Sequence, residues 1–346
     1  MAFATINKPN TQFNTVLWTG NGSTQSITGV GFQPDWVWIK GRSGATNHRL
    51  YDAVRGVQKD LVSNSDVAEA TQTTGLTTFD TDGFTVGTLG GINTSAATYV
   101  AWNWLGANTT VSNTAGTISS TVSANTTSGF SIVSYAGAQG SNFTIGHGLS
   151  VTPNIVFAKS RNTVANWGVY YRNNGVNTNF MTLNSTGAQG TNTGSLAGGA
   201  YMVMNSTTLQ IDSTAFANAG SSMIAYCFSE VKGFSKFGSY TGNGSTDGTF
   251  VYTGFKPAFV LFKASSAAYN WHMFDSKRNT YNVVTADLLP NSSNADNTSN
   301  NLLDFVSNGF KLRTGDAGWN DANTYIYMAF AEQPLVGTNN VPATAR

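Results

Sequence analysis

The hexapeptide Thr19-Gly20-Asn21-Gly22-Ser23-Thr24 occurs twice in this chain of 346 residues, the second time as Thr241-Gly242-Asn243-Gly244-Ser245-Thr246. The two copies are too far apart for a local duplication, so they indicate a large repeated unit. In both copies a strand pattern that begins with a proline follows within about ten residues, and glycine and asparagine accept the backbone angles of tight turns. The hexapeptide therefore predicts a turn between two strands.

Other landmarks recur in the same order and reveal a third, degraded copy in the middle of the chain. Each copy has a proline before an apolar strand pattern, at Pro34, Pro153 and Pro257. Each then has an Asn-Ser pair, at Asn64-Ser65, Asn184-Ser185 and Asn291-Ser292. Each closes on an apolar run, at Tyr99–Trp102, Met223–Phe228 and Tyr325–Phe330. This repetition predicts three domains of roughly 105–120 residues, close to the common domain size.

Between the landmarks, short stretches alternate apolar and polar residues, as at Asp35–Lys40 and Thr324–Phe330. This alternation is typical of strands, and helical periodicity is nearly absent. We therefore expect an all-β fold of three tandem antiparallel β-sandwich repeats of the jelly-roll or lectin-like kind. The expected boundaries are 1–107 for the first repeat, 108–128 for a Thr/Ser/Asn-rich linker or loosely attached strand pair, 129–233 for the divergent second repeat, 234–337 for the third repeat and 338–346 for a C-terminal arm.

Charge is scarce in this sequence. Charged residues make up 10% of the chain and the net charge is +1 at pH 7, against roughly 25% charged residues in an average globular protein. Such a chain lacks the basic surface of a nucleic-acid binder. The N-terminus has no signal-peptide pattern, and no run approaches the roughly 20 apolar residues of a membrane span. We expect a protein that is made in the cytoplasm, binds no nucleic acid and does not insert into a membrane.

The residues that could do acid–base chemistry mostly stand at repeat positions, which favours structural roles. His48 and His272 occupy nearly equivalent positions, and Glu230 and Glu332 each follow a closing apolar run. His147 stands alone in a glycine-flanked turn. A glycosidase needs two carboxylates roughly 5–10 Å apart in a cleft, and the chain has three glutamates in all. We therefore expect no enzymatic activity and no catalytic residue.

Metal and cofactor sites have weak support. Asp80 and Asp82 form an Asp-x-Asp that could contribute to a calcium site, but a hairpin turn at Asp82-Gly83 explains them more simply. The lone Cys227 lies in an apolar run and suits a core residue better than a reactive thiol. Metal-type Cys/His spacing and phosphate-binding glycine loops are lacking, so we expect no metal and no cofactor.

Three tryptophans are the candidate ligand-binding residues. Trp319 has no counterpart in the other copies, and a binding residue, unlike one that the fold requires, need not recur. Trp167 and Trp271 do stand at equivalent positions, where the first copy has His48. Exposed indole rings could stack on sugar rings, so we retain all three as candidates.

Taken together, the landmarks resemble a repeat domain of unknown function that is common in marine bacteriophage proteins. The resemblance covers nearly the whole chain. The segments that carry it are the hexapeptide preceded by Trp18 or Tyr240, and Gly31–Lys40, His48–Gly56, Asp82-Gly83-Phe84, Lys236–Tyr240 and Ala329–Pro334. The resemblance implies a virion-associated structural protein, tail- or fibre-like, with lectin-like sandwich domains, and it carries over no catalytic residue.

Three functions from different classes follow. The first is a non-enzymatic virion protein on the outside of a phage, as a tail or fibre-type appendage or a capsid decoration, with other virion proteins as partners. Such a protein is expected to form a homo-oligomer, for which a trimer is one form. The second is a module that binds a host surface glycan. The third and weakest is a polysaccharide depolymerase, because of the few carboxylates.

Overall fold

A computed structural model describes residues 4–138, 140–173, 176–213, 215 and 220–336. The chain is nearly all β, with 44% strand and 3% helix, and its several antiparallel sheets do not close into barrels. This confirms the all-β expectation and the β-sandwich character. The short helices are the 3₁₀ turns Pro9–Thr11 and Ala197–Gly199 and the single α-helical turn Gly90–Asn93. Within the described part of the chain, no helix is long and apolar enough to span a bilayer.

The first segment contributes a six-stranded and a three-stranded sheet. Its strands are β1 Phe13–Thr19, β2 Gln25–Thr28, β3 Trp36–Gly41, β4 Arg49–Asp52, β5 Lys59–Val62, β6 Ala70–Thr71, β7 Leu76–Asp80, β8 Gly83–Val86 and β9 Thr98–Trp104. The larger sheet has the order β1-β9-β3-β4-β5-β6, and the smaller has the order β2-β8-β7.

The second segment contributes a seven-stranded and a three-stranded sheet. Its strands are β10 Val111–Asn113, β11 Ser120–Asn125, β12 Phe130–Ala136, β13 Phe143–Gly146, β14 Ile155–Ser160, β15 Gly168–Asn173, β16 Val176–Thr182, β17 Met202–Met204, β18 Thr208–Ile211 and β19 Ser222–Phe228. The orders are β10-β11-β12-β19-β14-β15-β16 and β13-β18-β17.

The third segment contributes a four-stranded and a three-stranded sheet. Its strands are β20 Ser235–Thr241, β21 Phe250–Tyr252, β22 Phe255–Ala264, β23 Trp271–Asp275, β24 Leu303–Val306, β25 Gly309–Leu312 and β26 Thr324–Pro334. The orders are β20-β26-β22-β23 and β21-β25-β24.

The stretch 108–128, expected as a linker or a loosely attached strand pair, forms β10 and β11 at the edge of the seven-stranded sheet. Polar side chains tie β11 to the first segment. The Asn125 side-chain amide donates to the carbonyl oxygen of Leu105, and the Ser123 hydroxyl accepts from the backbone N–H of Ala107. The stretch is therefore part of the sheet and is bonded to the first segment. The expected C-terminal arm, 338–346, lies outside the described residues.

Each segment has an apolar core that joins its two sheets. In the first segment, Tyr99 and Val37 of the larger sheet pack in one cluster with Ile27 and Phe84 of the smaller sheet. Residues at corresponding places form such clusters in the second and third segments. Burying apolar surface between two sheets is the main driving force for this kind of packing.

A further core lies on the opposite faces of the three larger sheets and contains residues from all three segments. At its centre the rings of Trp104, Phe228 and Phe330 form a triangle, with centroid separations of 6.2, 5.7 and 5.9 Å. These are contact distances for aromatic pairs. The three residues occupy corresponding places in β9, β19 and β26, each paired with the residue two positions after a landmark proline, which are Trp36, Ile155 and Phe259.

Both hexapeptides form turns after the first strand of their segment, as expected. A buried asparagine clamps each turn. Asn93 accepts from the N–H of Asn21, and Asn320 accepts from the N–H of Asn243. The Asn320 side-chain amide also donates to the carbonyl oxygens of Ser245 and Thr314. The second glycine of each turn has a positive φ, which favours glycine.

Candidate functional site

The candidates Trp167 and Trp271 lie in the shared core, 0% and 1% exposed, so neither ring offers a free face to a ligand. Their indole N–H groups cross between segments. Trp167 donates to the carbonyl oxygen of Val62 at 2.8 Å, and Trp271 donates to that of Thr182 at 3.0 Å. Each indole thus bonds the segment that precedes its own in the chain, at corresponding positions.

The Asn-Ser landmarks hold these residues in place. The side-chain oxygens of Asn64, Asn184 and Asn291 accept from the backbone N–H groups of His48, Trp167 and Trp271, each at 2.9 Å. His48 therefore occupies in the first segment the position that Trp167 and Trp271 occupy in the second and third. We call each contact between two segments a seam, and all three positions lie at one. Burial, to which the charge of Lys40 adds, lowers the pKa of His48 well below its usual range, and the backbone of Leu289 in the third segment acts against this.

Two of the three seams carry an acid shared by two arginines. Glu69 bonds Arg55 of its own segment at 3.1 Å and Arg161 of the second segment at 2.9 Å. Asp296 bonds Arg278 of its own segment at 2.7 Å and Arg42 of the first segment at 3.1 Å.

The third seam, between the second and third segments, has neutral groups where the other two have an acid between two arginines. The backbone N–H of Gln189 in the second segment donates to the carbonyl oxygen of Ser265 in the third. The backbone N–H groups of Glu69 and Asp296 make the same type of bond to Arg161 and Arg42. The three segments therefore contact one another in a closed cycle.

The landmark strands β3, β14 and β22 each carry a fully buried lysine, Lys40, Lys159 and Lys263. Each ammonium donates to backbone carbonyl oxygens, such as that of Ser293 for Lys40 and that of Asp66 for Lys159. Burial lowers the pKa of all three lysines to about 8. These ammonium groups thus provide hydrogen-bond donors to the backbone carbonyl oxygens of nearby loops.

The remaining acid–base candidates are engaged in local bonds. Glu230 pairs with Lys236 at 2.8 Å, and Glu332 lies 3.5 Å from Lys256. The buried His272 meets Asp287 at 2.8 Å. A nitrogen of the buried His147 lies 3.1 Å from the carbonyl oxygen of Asn205. Burial raises the pKa of the Cys227 thiol to about 12, so this thiol is protonated and inert.

The carboxylate of Asp80 bonds within its own hairpin, and that of Asp82 bonds the loop that follows β2. Asp82 accepts from the N–H groups of Gly29 and Gly31, and Asp80 accepts from the hydroxyls of Thr78 and Thr85. Of the two explanations for this Asp-x-Asp, a calcium site and a hairpin turn, the structure shows the hairpin, between β7 and β8. Across the described ranges, no three His, Cys, Asp or Glu residues are grouped closely enough to hold a metal ion.

Trp319 is half-buried and packs against the core of the third segment. Its ring centroid lies 4.7 Å from that of His272. It precedes the clamping Asn320 just as the buried Ile92 precedes Asn93, so part of its role is packing. Its use as a ligand contact stays a prediction.

Three aromatic side chains are exposed among the residues that the structure describes. They are Phe250 at 45%, Tyr252 at 57% and Tyr281 at 78%. Phe250 and Tyr252 lie two residues apart on β21, an edge strand of the smaller sheet, so they point to the same face. Neither was a candidate from the sequence. The signal that could have found them is their position between hexapeptide and proline, where the first copy has serine and threonine.

Beside Tyr252 lies a cavity of about 230 Å³. Its walls come from the stretch that joins the second and third segments, from the turn after β21, and from the residues that follow β26. They include Glu230, Lys236, Tyr252, Thr253 and Leu335. A pocket with one exposed ring and an ion pair in its wall can bind a ligand that has both an apolar face and polar groups.

The fold and these surfaces define a β-sandwich protein whose polar groups are used for packing and whose exposed aromatic residues concentrate in the third segment. The chain belongs to the family described as a domain of unknown function (DUF7483), whose model matches residues 8–334. Comparisons with curated proteins and with solved structures gave no match.

Proposed function

We propose that this chain consists of three tandem β-sandwich repeats closed into a ring with approximate threefold symmetry. We further propose that this block is a non-enzymatic structural protein on the exterior of a bacteriophage particle, as a tail or fibre-type appendage or a capsid decoration. The observation that carries the proposed ring is the closed cycle of contacts around the triangle of Trp104, Phe228 and Phe330.

The surface area supports a single block. The folded chain exposes 12199 Å², whereas three separate globular proteins of one third of its mass would expose about 18,000 Å² in total. The difference is several times the area of an ordinary protein–protein interface. The family match supports the same unit, since it extends across all three segments.

The assignment to a phage exterior rests on the motif resemblance and on chemistry. The described acidic and histidine side chains are mostly committed to ion pairs or hydrogen bonds that hold the fold, as at Glu69 and His272. A rigid block with few surface charges suits a role in assembly and display. Its neighbours would be other virion proteins, and the expected homo-oligomer remains part of the proposal.

Mass spectrometry of purified phage particles from a lysate in which this gene is expressed tests the location. We expect the chain in the particle fraction at a constant ratio to the major capsid protein, and accessible to surface biotinylation. Recovery of the chain only in the soluble fraction, away from particles, would contradict the proposal.

A further inference from the structure

We propose that Phe250, Tyr252 and the adjacent cavity form a carbohydrate-binding site specific to the third repeat. Its ligand would be a sugar ring of a surface oligosaccharide, held by stacking on the aromatic face and by hydrogen bonds in the cavity. The inference does not depend on where in a particle the chain sits, so it can fail while the structural role stands.

The other two segments provide internal controls for this strand. Val251 pairs with Phe310 as Ile27 pairs with Phe84, so the two aromatic residues correspond to Ser26 and Thr28. In the second segment, β13 and β18 hold the same places in their three-stranded sheet as β21 and β25 do in theirs. There Ile145 pairs with Leu209, and the neighbours of Ile145 are Thr144 and Gly146. The fold thus accepts small or polar residues at both positions. The aromatic rings are not needed to build the strand.

Each ring lies close to a glycine and is about half exposed. A Cβ added at Gly254 would lie 3.6–3.7 Å from ring atoms and the hydroxyl of Tyr252. A Cβ added at Gly309 would lie 3.2 Å from the ring of Phe250. Because neither glycine has a side chain, each ring can lie near the backbone while part of it stays open to a ligand.

The polar wall of the cavity favours a hydroxylated ligand. Lys236 and Glu230 form an ion pair at 2.8 Å whose side chains remain about one third exposed. The backbone N–H of Glu230 donates to the Asn154 side chain, which fixes the joining segment that carries this pair. A carboxylate and an ammonium side by side offer acceptors and donors at once, as sugar hydroxyls require.

A protein partner is the less favoured occupant because the apolar patch is small. Two aromatic residues at about half exposure present roughly 200 Å² in total, whereas a standard interface buries about 800 Å² on each partner. The cavity is also below the roughly 300–1,000 Å³ of sites for drug-sized ligands, a size that suits a single sugar ring.

The test is a glycan array printed with oligosaccharides of hexoses, N-acetylhexosamines and uronic acids, probed with the full chain, followed by calorimetric titration of the best binder. We expect binding to at least one sugar class, weakened about tenfold or more by Tyr252→Ala. The variant Tyr281→Ala is the matched control, since it removes an aromatic residue of higher exposure outside the cavity. It should bind like the original chain.

Three results would each overturn the inference. The first is an array without binding to any sugar class. The second is sugar binding that Tyr252→Ala leaves unchanged. The third is a Phe250→Ala, Tyr252→Ala double variant that loses only self-association in sedimentation experiments. Circular dichroism and thermal unfolding of each variant confirm folding, which the exposed positions of both rings should leave intact.

Discussion

Lys40, Lys159 and Lys263 each place a positive charge in the interior of one segment, at a cost in charge burial. Lys40 and Lys159 also bond a carbonyl oxygen of another segment, whereas the described bonds of Lys263 stay within its own. Each is fully buried, and each ammonium bonds carbonyl oxygens instead of a carboxylate. Burial disfavours the charged form and lowers the pKa of all three to about 8, from an ordinary value of 10.5. Below pH 8 the native state therefore carries three buried charges.

These lysines predict that the free energy of unfolding rises with pH from about pH 7 to 9. Above about pH 8 the native state releases protons that the unfolded chain keeps until about pH 10.5, so deprotonation favours folding. Cys227, whose pKa is raised to about 12, opposes this only above about pH 9. Urea unfolding at several pH values measures the slope.

The variant Lys263→Met separates this effect from general alkaline behaviour. Lys263 has burial as the single cause of its lowered pKa, so its removal should reduce the slope whatever it does to stability at pH 7. A free energy of unfolding that falls steadily from pH 7 to 9 in the original chain would contradict the account.

At the scale of elements, the hexapeptide turn depends on its first glycine for close packing. A Cβ at Gly242 would lie 1.9 Å from the carbonyl oxygen of Asp321, a contact that forces the turn to move. We predict that Gly242→Ala lowers the free energy of unfolding by about 1–3 kcal/mol. Chemical denaturation measures this.

Gly44 supplies the control for that variant. It lies in an exposed loop with no atom within 4 Å of an added Cβ and without a positive φ. Gly44→Ala should change stability by less than about 0.5 kcal/mol. Equal effects of the two substitutions would show that the turn is not packed as described.

Sequence reasoning reached the elements but not their assembly. Local rules of turn and strand chemistry predict the hexapeptide turn, the strands β3 and β14 that follow Pro34 and Pro153, and the 80–84 hairpin. The third landmark proline differs, because Pro257 lies inside β22 and not before it. Trp167 and Trp271 look like exposed candidates in the sequence because the partner carbonyls of Val62 and Thr182 lie far away in the chain. Contacts between distant segments carry no local sequence signature, so the structure was needed to show the role of these two tryptophans.

The surface site shows a different limit. Phe250 and Tyr252 stand in an alternating strand pattern, and such a pattern cannot say which face is buried until the sheet order is known. Comparison with Ser26 and Thr28 of the first copy becomes informative only once the registers of β2 and β21 are aligned by their partners. Trp319 has no counterpart in the sequence of the first copy, but in the structure the buried Ile92 fills the equivalent place.

At the scale of the whole molecule, the proposed ring would let one chain do what three subunits do in a cyclic trimer. The pair of Arg42 and Asp296 joins the first and third segments, although these residues are far apart in sequence. The seam between the second and third segments uses the neutral contact between Gln189 and Ser265 in place of ion pairs.

Small-angle X-ray scattering of the full chain tests this arrangement most directly. A compact body of 346 residues has a radius of gyration of about 20 Å by the scaling of globular proteins, and the ring predicts a value close to this. Three sandwiches strung along the chain without a shared core would each have a radius of about 13 Å and together give roughly 28 Å or more. A measured value near 20 Å supports the closed block, and a value near 28 Å contradicts it.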